Sequence, residues 1–178
     1  HYDNRGFERL LRTGATHAGQ RALGMPVQMF QYLSEREVRD ITAFVRTLKP
    51  VANPGLKPSW FTPAARKEIA AYGDDRGDPA KVGAPPEPPQ ETLALGRHIA
   101  LTSCGECHGF DLNGFEGDST PPLIVAKAYS DADFERLMRT GKVPGDKETK
   151  TGFMSEVARD RFAPSLSSRE ISALKAFL

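Results

Sequence analysis

A largely helical chain, built in part from two copies of one unit, is what this sequence predicts. Three observations carry that expectation: amphipathic blocks bounded by capping residues, a repeated text, and no strand and helix alternation around the only two cysteines. Tyr2 to Gly14 reads YDNRGFERLLRTG, and Tyr129 to Gly141 reads YSDADFERLMRTG. Further on, Leu33-Ser34-Glu35-Arg36-Glu37-Val38 with Ala43-Phe44 is answered by Leu166-Ser167-Ser168-Arg169-Glu170-Ile171 with Ala176-Phe177. Between these blocks the first copy has Gly24-Met25-Pro26 and the second Gly152-Phe153-Met154, so each half offers a methionine at the corresponding place.

Both repeated blocks of the first copy read as helices, and in the second of them Ser34 with Glu37 is an S-x-x-E capping box followed by Val38, Ile41, Phe44 and Val45 at helical spacing. Residues 50–90 change character. Prolines at 50, 54, 58, 63, 79, 85, 86, 88 and 89 interrupt every pattern except 63–72, where Pro63 stands near the start of a short helix. Pro85 to Pro89 reads as stiff and extended, and Trp60 and Phe61 either anchor this strap against a domain or ride on a flexible tether. The expected organisation is therefore 1–49, a linker over 50–90, and 91–178.

In the second part, Glu91 to Leu101 reads as a helix starting after Pro88-Pro89. Gly96 lies inside it and costs about 1 kcal/mol relative to alanine, so a close helix crossing should compensate; Ala173 and Phe177 of the last helix are the expected partners. Ser130 with Asp133 opens the next helix, Phe134, Leu137 and Met138 line one face, and Gly141 stops it. Ser167 and Glu170 cap the last, which carries Ile171, Leu174, Phe177 and Leu178.

The chemistry-bearing stretch is Cys104-Gly105-Glu106-Cys107-His108. Two thiols three positions apart, followed at once by an imidazole, are what covalent haem attachment needs: each sulfur adds to a vinyl group while the histidine reaches the iron. A zinc site would need four ligands, and the chain has no third cysteine and only His1, His17 and His98 besides. A thioredoxin-type dithiol would open a helix after a strand, and that pattern is missing.

Residues 91–178 resemble a class I c-type cytochrome domain. The resemblance rests on Gly96 eight residues before Cys104, on Cys104-x-x-Cys107-His108-Gly109, on Pro121-Pro122-Leu123, on Met154 and on the terminal amphipathic helix. It implies a small all-α cytochrome c fold around one haem c, attached through Cys104 and Cys107. It also implies His108 as proximal ligand, Met154 as distal ligand, and a proline carbonyl, Pro121 or alternatively Pro122, holding the His108 ring. The text Val157 to Phe162 resembles bacterial exported members, and Met154-Ser155 departs from the commoner Met-Pro that the first copy keeps.

The competing ligands are weaker. Met138 sits in a helical apolar stripe and reads as core. His98, next to Arg97, reads as solvated or capping, and His17 lies in a loop with no evident partner. Only apolar neighbours are evident around Phe153 and Met154. Residues 1–49 resemble the C-terminal part of another such domain, with Met25 as the possible distal ligand of a second haem and Met29 as a pocket residue. That implies either an attachment motif ahead of His1 or a first domain that lost its haem and survives as a docking surface.

At 178 residues, 39 % hydrophobic and 26 % charged, the chain fits a globular protein, and its apolar runs are far short of the roughly 20 residues that cross a bilayer. A net charge of +1 gives no electrostatic case for nucleic acid or an anionic membrane. Residues 1–50 carry eight Lys/Arg against five Asp/Glu, and 91–178 eleven against thirteen, too small a difference to steer a partner. The resemblance implies electron transfer between redox partner proteins, as a module of an exported dehydrogenase or respiratory chain, with no catalytic residue of its own. It further implies a bacterial periplasmic site, with any membrane association through a partner or a segment outside this chain. The other class is a peroxidase-like haem enzyme or small-ligand sensor in which Met154 is displaced.

Overall fold

The computed structural model describes residues 2–52, 55, 60–71, 82–115 and 120–178. Among the described residues 59 % are helical and 4 % extended, so the protein is mostly helical with one small two-stranded sheet. It divides into two compact units, His1–Pro86 and Glu87–Leu178. The linker expected over 50–90 is thus shared out, its last four residues belonging to the second unit.

In the first unit, α1 (Asn4–Thr13) is capped by the Asp3 carboxylate, which accepts from the Gly6 amide at 2.7 Å, and stops at Gly14. α2 (Val27–Phe30) follows, and then α3 (Glu35–Thr47), whose Ser34 and Glu37 form the expected capping box. Leu11, Leu33 and Val38 make a small core with Phe7, Phe30 and Ile41 against it. The Glu35 and Arg36 amides, which no helical carbonyl can satisfy, donate to the carbonyls of Pro85 and Pro86 at 2.9 and 3.1 Å. The strap is therefore tied by its backbone. Trp60 is 75 % exposed and Phe61 39 %, so these aromatics do not anchor it. The short helix appears as α4 (Pro63–Ala71), with Thr62 Oγ1 accepting from the Ala65 amide at 3.1 Å; residue 72 and the prolines at 54, 58 and 79 lie outside the described residues.

The second unit opens with α5 (Thr92–Ile99), capped by Glu91, whose carboxylate accepts from the Leu93 and Ala94 amides at 3.2 and 2.9 Å. The Ala94 bond first, then that to Leu93, holds the Glu91 carboxyl below its ordinary pKa. The helix does not end near Leu101 as expected. It passes into a π turn (Ala100–Cys104) and on through α6 (Gly105–His108). Here the Thr102 hydroxyl donates to the His98 carbonyl at 2.8 Å, a side-chain bond that competes with the regular ladder. The wider turn is the kind of local irregularity that recurs at functional sites, and the motif lies directly on it.

A 3₁₀ segment (Leu123–Ala128) leads to α7 (Asp131–Thr140), capped by Ser130 and stopped by Gly141 at φ 72°. Then comes a two-stranded antiparallel ribbon, β1 (Lys142–Val143) and β2 (Lys147–Glu148), which helix-based reading did not anticipate. Pro144-Gly145-Asp146 turns it, with Gly145 and Asp146 both at positive φ, 82° and 58°. The chain closes with α8 (Phe153–Val157), a π turn (Ala158–Phe162), α9 (Ala163–Ser165) and α10 (Ser168–Phe177).

α5 and α10 cross at Gly96 as the glycine demanded. A Cβ there would stand 2.0 Å from the Ala173 carbonyl oxygen and 2.8 Å from Phe177 Cβ. The core of this unit gathers Leu95, Ile99 and Ala100 with Phe134, Met138, Ile171 and Leu174.

One device occurs in both units and could not be read from the repeated letters. Arg12 donates to the Leu33 carbonyl at 2.6 Å, and Arg139 donates to the Leu166 carbonyl, also at 2.6 Å. Each arginine fastens the chain just before a capping-box helix. Arg139 reaches the Ala163 carbonyl as well, at 3.1 Å. Arg139→Met should cost about 2 kcal/mol, because charge-assisted bonds are lost and the freed carbonyls are left unpaired. Urea unfolding measures this, and a change below about 0.5 kcal/mol, the scatter of ordinary surface substitutions, would make the clamp ornamental.

Candidate functional site

A cavity of about 480 Å³ lies inside the second unit, within the usual range for small-molecule and cofactor sites. Cys104, Cys107, His108 and Met154 all line it, brought there by the π turn, α6 and α8 although Cys104 and Met154 stand 50 residues apart in the chain. The rest of the wall is mainly apolar, from Leu123 and Val125 through Phe134, Met138 and Phe162 to Leu174.

His108 is held by a backbone carbonyl of the cavity wall. Its Nδ1 lies 2.8 Å from the carbonyl oxygen of Pro121, and of the two prolines weighed for this place it is Pro121 that makes the contact. A carbonyl only accepts, so Nδ1 carries the proton and Nε2 keeps its lone pair for a ligand. The ring is buried, at 9 % exposure. The carbonyl of the same residue accepts from the Gly114 amide at 2.7 Å, which fastens the loop after the motif onto it.

The two thiols are free rather than joined in a disulfide, Cys104 buried and Cys107 exposed. Burial, with a smaller contribution from Cys107, pushes the Cys104 thiol up to about 12. Burial and then the Glu106 charge raise Cys107 as well. Both sulfurs therefore keep their protons at neutral pH, unlike the depressed thiols of dithiol oxidoreductases. Among the described residues no three His, Cys, Asp or Glu side chains converge as a bare-ion site requires.

Met154 is half-buried, packs against the core and reaches the cavity. Met138 reaches it too, but at 2 % exposure in the core cluster it is a packing residue as its helical stripe suggested. His98 is corrected: it is not solvated but buried at 8 % exposure, on the inner side of α5 with Leu95 and Ile99, and it does not line the cavity. His17 also has a partner, stacking on Tyr2 with ring centroids 3.7 Å apart. Met25 stands half-buried just ahead of the α2 cap Pro26, while Met29 is buried at 5 % exposure in the same unit.

The wall beside Met154 is more polar than expected. Glu148, Thr149, Lys150 and Thr151 contribute to it, because β2 leads straight into the loop before α8. Sequence reasoning also missed Thr149 and Ser155, whose hydroxyls stand 3.1 Å apart. The only signal was negative: serine follows Met154 where the first copy has proline after Met25.

No family model matches this chain, and comparison with curated proteins likewise gave no match.

Proposed function

We propose that the second unit is a c-type cytochrome domain that binds one haem c and carries single electrons between partner proteins. The observation that carries this reading is the convergence, on one largely apolar cavity, of two reduced cysteines, a histidine oriented through Nδ1 and a methionine. Those residues fit the group: Cys104 and Cys107 would tether it through thioethers, and His108 Nε2 and Met154 Sδ would ligate its iron. The bound haem supplies a one-electron ferric and ferrous couple, and the protein supplies ligand set and burial.

What the chain itself does follows from its geometry. Pro121 keeps the His108 proton on Nδ1, which makes Nε2 the better donor and prevents the ring from turning away. Met154 presents a neutral thioether, which favours the ferrous state. The apolar wall excludes water and lowers the local dielectric, acting in the same direction. No helix among the described residues is long and apolar enough to cross a membrane. Covalent attachment of this kind belongs to the outer side of an energy-transducing membrane, so the proposed compartment is the bacterial periplasm and the partners are redox proteins there.

Export to a periplasm equipped for covalent haem attachment tests the reading. The expected product gains the mass of one haem that denaturation does not release, and its oxidised form shows the red-edge band of methionine-bound ferric iron. The double variant C104A/C107A should lose covalent haem altogether, and Met154→Ala should lose the band. A colourless protein would sink the proposal. A haem protein without the band, binding small ligands freely, would favour the sensor or peroxidase-like alternative.

A further inference from the structure

Met154 is followed by a residue whose burial and hydrogen bonds exceed what a short surface helix needs. Ser155 is completely buried, at 0 % exposure. Its Oγ accepts from the Thr149 amide at 2.8 Å and stands 3.1 Å from Thr149 Oγ1, one hydroxyl donating to the other. Its own amide donates back to Thr149 Oγ1 at 3.3 Å. The segment between them is thus closed into a loop by three bonds, and that loop contributes Thr149, Lys150, Thr151, Phe153 and Met154 to the cavity wall. On the other side Ser155 rests on the end of α7: a Cβ on Gly141 would lie 2.3 Å from its carbonyl oxygen and 3.0 Å from its Cα.

We infer that Ser155 and Thr149 are positioning residues, a hydroxyl clasp that holds the Met154 loop shut and so sets how readily Met154 would give way to another ligand. This rests on the haem reading above and adds a regulator to that site. The first copy has Met25-Pro26, where the proline ring stiffens the backbone after the methionine by restricting φ. In the second copy serine leaves φ free, and the clasp supplies the restraint by hydrogen bonding instead. The difference matters chemically, because hydrogen bonds can break and re-form whereas a proline ring cannot. The hydrogen bonds of Thr149 and Ser155 described above run to one another, so their influence runs through the placement of residue 154.

The haem-loaded protein tests this with imidazole as a competing ligand for ferric iron, titrated while the methionine band is followed. Thr149→Val removes the hydroxyl at nearly constant volume, Thr149→Ser keeps it, and Ser155→Ala removes the other half. Losing two of the three neutral bonds should tighten apparent imidazole binding by roughly tenfold in Thr149→Val and in Ser155→Ala, with Thr149→Ser close to the parent. Should Ser155→Ala not fold, the Thr149 pair decides alone. Equal imidazole affinity across the parent and all variants, with the parent's band present, overturns the clasp and leaves the haem reading standing. A parent without the band overturns both.

Discussion

Gly96→Ala should lower the stability of the second unit by on the order of 3 kcal/mol, although the same change in an ordinary helix interior gains about 1 kcal/mol. The sign reverses because the added carbon would meet the Ala173 carbonyl oxygen at 2.0 Å and its carbon at 2.6 Å. Both are backbone atoms of a helix packed along its length, so no rotamer change relieves the clash and α5 and α10 must separate. Ala173 and Leu174, at 1 % and 2 % exposure, would lose their seating with them. For a unit of this size each kcal/mol is about 4–8 °C, so the expected fall in Tm exceeds 12 °C or so, read by calorimetry. An unchanged or raised Tm would mean that the two helices do not cross this closely. Function should follow stability here, because α5 runs through the π turn into Cys104 and His108.

Gly141→Ala should cost about as much for two separable reasons. Its φ of 72° puts alanine in the left-handed region, a penalty of about 1–2 kcal/mol, and its Cβ would collide with Ser155 at 2.3 Å. Gly145→Ala separates the two, since that glycine has φ 82° but meets only Lys147 Cε, at 4.0 Å. We therefore expect Gly145→Ala to cost only the backbone penalty and Gly141→Ala to cost about 2 kcal/mol more, as overpacking against backbone does. Chemical denaturation gives both values. In the haem-loaded protein only Gly141→Ala should also weaken the methionine band, because Ser155 carries Met154 with it. Equal losses from the two variants would show that the α7 end does not support the distal loop.

Much of this was legible because it is local. Ser34, Ser130 and Ser167 announce their helices through bonds reaching three residues along the chain, and Gly141 ends its own through its dihedral freedom. Gly96 is the one tertiary contact that a sequence could betray, since an expensive residue inside a helix asks for a close neighbour. The errors share a cause. His98 beside Arg97 looked solvated, but which face of α5 turns inward depends on where α10 lies. Trp60 and Phe61 left the strap undecided between anchor and tether, because it is tied through the carbonyls of Pro85 and Pro86, which have no letter in the sequence. The ribbon at 142–148 was missed because two-residue strands show no periodicity, even though Pro144-Gly145-Asp146 is a turn signal.

By itself the sequence determined the longer helices, the caps at Ser34, Ser130 and Ser167, and the spacing of two thiols and an imidazole, all of them fixed by covalent neighbourhood within a few residues, and it displayed the repeat. Only the tertiary structure decided that Met154 shares a cavity with those thiols, that Pro121 rather than Pro122 orients His108, and that Arg12 and Arg139 fasten equivalent carbonyls. Those facts depend on backbone groups, which every residue carries alike, and on distances through space that a linear text does not encode.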